Sequence, residues 1–324
     1  MTRIGILDGD SLLGRELAGR FAMELPLADV HLFTRDPERA GTLVEAGPTA
    51  ALLELADAES LGRIDALVVA GLEREDLDVL VSSLAPEATL LLVSPSRPVA
   101  TLPPLVAGIG DSLAAGSRIL HSPHAVTIAV ALLLEPLLDL KPQRVTVTAI
   151  QPVSGLGQSG IDELVEQTRC LLTFKSPLPQ ERLGARLAFN LLPESDTDSE
   201  ALSAQLRALF GDELPISVTL LRAGVFHGVG LAVACSFPRS TASTLIRQKL
   251  EAATLLKVLP AGSEPPGSAD AAMHEEMLVT MLGHDDESGT TRLWCVLDHL
   301  VRGGSANAAV LLAAARPDSS PPTH

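Results

Sequence analysis

The stretch TRIGILDGDSLLGRELAGRFAMEL, residues 2–25, is the one on which the architecture turns. Ile4 to Leu7 is a short apolar run without alternation. DGDSLLG after it carries turn formers, and RELAGRFAMEL repeats its apolar residues at helical spacing, so the stretch reads as strand, turn and helix. Working outward, further apolar runs follow: VHLF from Val30, DALVVAG over Asp65 to Gly71 ahead of the helical EREDLDVLVSSL, and TLLLVS from Thr89. Apolar strands separated by helices predict a parallel sheet covered on both faces. The N-terminal part therefore reads as α/β, a Rossmann-type doubly wound parallel sheet.

From about residue 145 the texture changes. RVTVTAIQPVS, LPISVTLLRAGVFHGVGLAVACSF and TRLWCVLDHL alternate apolar and polar residues, which predicts strands with one face wet or covered by a partner. The second domain is then α+β, with a mixed or antiparallel sheet. SEPPGSADAAMHEE is loop-like, GGSANAAVLLAAA from Gly303 is helical in type, and the tail over 317–324 is expected to be disordered.

Composition narrows the function classes. With 324 residues and 46% apolar content the chain can bury two cores. A formal charge of -16 opposes the phosphate backbone of nucleic acid. Aromatic content of 2% without tyrosine leaves no stacking platform for single strands. Cys170, Cys235 and Cys295 stand far apart and in no C-x-x-C arrangement, so neither metal site nor disulfide framework is expected, and a reducing cytoplasm fits. The start MTRIGILDGD does not look like a signal peptide, and no stretch of ~18 apolar residues offers a membrane span.

Four ordered stretches carry a resemblance. They are the N-terminal turn with GREL, RILHSPHAVTIAVALLLEPL from Arg118, QPVSGLGQSGIDEL from Gln151, and the pair LLRAGVFHGVGLAV with LWCVLDHLVRGGSANAAV. Together they resemble the aspartate-semialdehyde dehydrogenase family: its Asn-Pro-Asn-Cys-Ser/Thr turn, its Gln-x-x-Ser-Gly-x-Gly segment, its Arg-Val-Pro-Val-x-x-Gly-His-Ser strand and its closing Asp-Asn-Leu helix. The resemblance implies a dinucleotide-binding-type domain of residues 1–125 plus 303–316 and a dimerisation and substrate-type domain of 126–302. It also implies a homodimer.

Such an enzyme needs a thiolate to add to the aldehyde, a base, a dinucleotide and a carboxylate pocket. Aligned on the resemblance, Ala125 stands at the cysteine position and Val229 at the histidine position, seven residues after Arg222. A methyl group forms no thiohemiacetal and an isopropyl group accepts no proton. Thr127 and His124 are nearby substitutes for the nucleophile, but a hydroxyl lacking an adjacent base is a poor nucleophile and an acyl imidazole hydrolyses readily. His227, two residues before the base position, is best read as a surface or dimer-groove histidine, with a rescued catalytic role as the alternative.

In the dinucleotide turn the family's three glycines align with Asp8, Ser11 and Gly14. Asp8 brings a negative charge to the phosphate position, Gly9 is expected to relax the turn by one place, and Gly14 serves close packing. Arg35 and Arg39 could meet a 2'-phosphate, or could simply belong to a helix-start loop capped by Asp36; both readings stand. Gly9, Ser11, Gly14 and Arg35 are thus the remaining cofactor contacts, and either no cofactor or weak NADP or NAD binding is expected. Gln151, Arg222 and Arg97 are the substrate-binding candidates, Arg222 having an internal acidic partner as its alternative.

These losses point to a catalytically degenerate, dimeric structural or regulatory protein, similar to the Usg group of bacterial relatives. The alternatives are an NAD(P)-dependent oxidoreductase of altered chemistry and a sensor of a small dicarboxylate.

Overall fold

The computed structural model describes residues 2–47, 49–70, 77–94, 102–109 and 117–315. Arg97 and the tail over 317–324 lie outside them. The described residues separate into two compact units, one built from 2–94, 102–124 and 304–315, the other from 125–303.

The first unit opens as its sequence predicts, with β1 (Thr2–Leu7), α1 (Leu12–Glu24) and β2 (Ala28–Thr34). It continues through β3 (Leu43–Ala46), β4 (Thr49–Leu55), α2 (Ala58–Leu61), β5 (Ala66–Ala70), α3 (Leu77–Ser83), β6 (Thr89–Val93) and β7 (Ile119–Ser122). The sheet order is β3-β4-β2-β1-β5-β6-β7. All neighbours are parallel except β3 and β4. Strand order therefore runs outward in opposite directions from β1 and β5, and the turn after β1 lies at the switch point where doubly wound sheets place ligands. Ile4, Ile6, Leu67, Val68, Leu91 and Leu92 are fully buried, the two-sided burial that an unbroken apolar strand requires. β4 is the strand its sequence hides, because Ala, Leu and Glu in TAALLEL are helix formers.

The C-terminal helix α8 (Asn307–Ala314) also belongs to this unit. Asn307 fastens it, its Nδ2 donating to Ser122 Oγ at 2.7 Å and to Leu105 O at 3.0 Å, while its Oδ1 accepts from Ala107 N at 2.8 Å. A buried carboxamide so fully bonded has little freedom to move.

The second unit comprises α4 (Ala125–Leu134), β8 (Arg144–Gln151), α5 (Gln158–Leu172), β9 (Leu191–Pro193), α6 (Asp196–Phe210) and β10 (Ile216–Ala223). It continues with β11 (Val229–Ser236), α7 (Ser243–Glu251), β12 (Leu256–Val258), β13 (Met277–Asp285) and β14 (Thr290–Leu297). Its sheet order is β12-β13-β14-β11-β8-β10-β9. β8 with β10 and β12 with β13 are parallel and the other pairs antiparallel, so the sheet is mixed. Alternation is clear in β8, where Val145, Val147, Ala149 and Gln151 are buried. α4 is apolar all round and buried along its whole length. Among the described residues no helix is long and apolar enough to cross a membrane.

Candidate functional site

Ala125 is the first residue of α4 and is fully buried. Its methyl group faces Gly303, where an added Cβ would come within 2.5 Å of Ala125 Cβ. Two residues into the helix, Thr127 donates its hydroxyl to Gln205 Oε1 of α6 at 2.6 Å, also enclosed. That hydroxyl is committed to a structural bond. Val229 begins β11 at 1% exposure, paired with Leu297 of β14. His124 is fully buried as well.

Gln151 and Arg222, the substrate-binding candidates of the sequence, are register partners on the parallel strands β8 and β10. Arg222 is committed to neighbours: its Nε pairs with Glu194 Oε1 and its Nη1 donates to Pro152 O at 3.2 Å. The internal acidic partner left open by the sequence is therefore Glu194, from the segment between β9 and α6. Both side chains are largely buried, where such a pair holds its geometry because breaking it strands a charge.

Next to the base position the structure gathers four polar side chains that the sequence reading did not connect. His227 Nε2 lies 3.0 Å from Asp298 Oδ2. Ser154 Oγ lies 3.5 Å from His227 Nδ1 and 3.2 Å from His299 Nε2. The two imidazole rings stand 4.8 Å apart, tilted by 51°. His227 is thus no isolated surface histidine, although it keeps 29% of its side-chain exposure. Asp298 is clamped by backbone: Oδ2 accepts from Met273 N at 2.8 Å, and Oδ1 from Leu300 N at 2.9 Å and Val301 N at 3.1 Å. Burial would raise this carboxyl, but His227 and the amides of Met273 and Val301 outweigh it and hold the group at about 2. A carboxylate, an imidazole and a hydroxyl in this order can pass a proton, and two imidazoles with a carboxylate can also hold a cation. The sequence did carry one signal, a histidine at 299 where the resembling motif has asparagine, directly after an acid.

At the switch point of the first unit the turn is closed by its own charges. Asp8 sits in the left-handed region at φ 56°, so the strained residue is the aspartate itself, and Gly9 does not take over that role. Gly9 is instead required for space, because a Cβ there would reach 2.8 Å from Leu32 Cβ. Ser11 caps α1, accepting from Gly14 N at 2.9 Å. Gly14 permits the turn to lie against the helix, a Cβ there falling 2.4 Å from Asp8 O. Arg35 Nη2 reaches Asp8 Oδ2 at 3.6 Å, and Arg39 pairs with Asp10. Both arginines offered to a 2'-phosphate thus already face carboxylates.

All three thiols are buried. Burial pushes Cys235 and Cys295 up to about 12, and raises Cys170 with help from the Glu166 carboxylate. None is disposed to form the thiolate that an aldehyde would need.

Comparison with known proteins gives one frame for both units. The model of the semialdehyde dehydrogenase dimerisation domain matches residues 134–302. Over 202 residues the chain is 28% identical to an aspartate-semialdehyde dehydrogenase of Rickettsia bellii, covering 59% of this chain and 60% of that protein. Over 201 residues it is 33% identical to a USG-1 protein homolog of Azotobacter vinelandii, again 59% of this chain and 60% of the relative. The chain thus aligns with about three fifths of the length of these curated relatives. The solved structure of a probable aspartate-semialdehyde dehydrogenase from Pseudomonas aeruginosa shares the fold, with a TM-score of 0.83 at 23% identity over 96% of this chain and 97% of that one.

Proposed function

The chain belongs to the semialdehyde dehydrogenase dimerisation-domain family, and from that premise we propose that it is a catalytically silent member acting as a homodimeric structural or regulatory protein. The observation that carries the reading is Ala125, a fully buried methyl group at the head of α4 where the family's motif places its cysteine. Val229, equally buried, stands where the motif places its histidine. Loss of a nucleophile alone costs on the order of a million-fold in rate.

The dinucleotide turn supports the same reading. NADP or NAD would have to displace Asp8 from Arg35 and bring its own phosphates beside two carboxylates, so binding is weak or lost. Gln151 and Arg222 remain as the hydrogen-bond donor and cation of a small dicarboxylate pocket, with Glu194 competing for the guanidinium. A homodimer fits the large apolar side chains that the second unit leaves in water, among them Phe174 at 97% and Phe189 at 73% exposure.

The test is calorimetry with NADP, NAD and small dicarboxylates, run beside light scattering. A dimer that takes up no dinucleotide supports the reading, and uptake of a dicarboxylate alone assigns it a sensing role. Tight dinucleotide binding contradicts silence, and a stable monomer contradicts the assembly.

A further inference from the structure

We propose that His227, Asp298 and His299 form a binding site for a divalent transition-metal ion of the zinc class, an inference that does not depend on whether the protein turns over a substrate. The three residues offer one donor atom each, all within 4.8 Å of one another. They converge because β11 and β14 end together: Val229 pairs with Leu297, so the turn before β11 that carries His227 and the residues after β14 that carry Asp298 and His299 lie at the same end of the sheet.

Asp298 is the fixed member. It is 2% exposed, and three backbone amides orient its two oxygens, the type of outer support that tunes a metal ligand. His299 is buried at 1% exposure beside it. Ser154 touches both imidazoles, so its hydroxyl can steer which ring nitrogen carries the proton and which is left to bind.

Donor distances suit a small ion after a modest contraction. Zinc bonds of ~2.0–2.1 Å place tetrahedral donors roughly 3.3–3.4 Å apart. His227 Nε2 and Asp298 Oδ2 already stand at 3.0 Å, so the closure left to make is between this pair and the donor atom of His299. His227 can supply it, since its partial exposure leaves the ring room to turn and leaves solvent a route to a remaining coordination position. Two imidazoles with a single carboxylate favour zinc, cobalt or nickel over calcium or magnesium, which prefer all-oxygen sets. The formal charge of -16 favours the approach of any cation.

The experiment uses the full chain stripped of metal with a chelator and titrated with Zn2+ by calorimetry and with Co2+ by absorption. One ion per chain is expected, with the visible bands of low-coordinate cobalt and a rise in melting temperature. His227→Gln, at a half-exposed position, should weaken binding at least tenfold while the metal-free variant keeps its circular dichroism. His299→Asn should do the same where it folds. No saturable uptake overturns the proposal. So does uptake that survives His227→Gln but is lost in His284→Asn, which would place the ion at the C-terminal end of β13, where His284 lies beside Asp286.

Discussion

Ala125 and Gly303 are in such close apposition that a Cβ on the glycine would lie 2.5 Å from the alanine methyl. Neither atom has a flexible side chain to retreat along, because Ala125 is part of the fully buried start of α4. Gly303→Ala should therefore destabilise the protein by about 1–3 kcal/mol, the usual effect of overpacking. Urea denaturation at neutral pH reads this directly, and a change near zero would mean that the contact is loose.

Thr127 and Gln205 share an enclosed hydrogen bond of 2.6 Å. Thr127→Val alone removes this enclosed bond from the carboxamide oxygen and should cost about 1–3 kcal/mol. Adding Gln205→Leu should cost less than the sum of the single changes, since both polar ends then disappear together. Strict additivity in a double-mutant cycle would show that the two residues are not coupled.

Asp8 combines a left-handed backbone with an ion pair to Arg35 in which each side chain is about one third exposed. Such a pair contributes only ~0–1 kcal/mol, and glycine relieves the backbone. Asp8→Gly should thus shift stability by no more than about 1 kcal/mol while removing the Asp8 carboxylate from Arg35. NADP affinity measured by calorimetry should rise severalfold; an unchanged affinity would absolve the aspartate of blocking the turn.

His121 is a buried imidazole that desolvation lowers from an ordinary value of 6.5 to about 4, against weaker upward pulls from the backbone of Leu102 and Pro103. Between those values the unfolded chain takes up a proton that the folded chain refuses. Stability is then full above the unfolded value and falls as pH drops from 6.5 toward 4, by at most about 3 kcal/mol. His121→Leu should flatten this limb of a plot of urea midpoint against pH. Equal slopes in both proteins would assign the acid sensitivity to other groups.

Much of the architecture is legible in residue order. β1, β5 and β6 announce themselves as unbroken apolar runs, and β8 as strict alternation. β4 is hidden because its composition is that of a helix, and only pairing with β2 and β3 makes it a strand. The sequence offered Ala125, Val229, Gln151 and Arg222 as site positions through resemblance alone; that Gln151 and Arg222 share a register is visible only in the folded sheet. The site was illegible where partners are distant in sequence: Glu194 with Arg222, and Ser154 with His227 and His299, are contacts across 28, 73 and 145 residues that only the folded sheet creates.

The most direct test of catalytic silence is the formation of NADPH from aspartate semialdehyde, phosphate and NADP by the purified protein. The account predicts no NADPH above the rate without protein, and none after Ala125→Cys, because Val229 still supplies no base. Sustained NADPH production by the unaltered protein would contradict it.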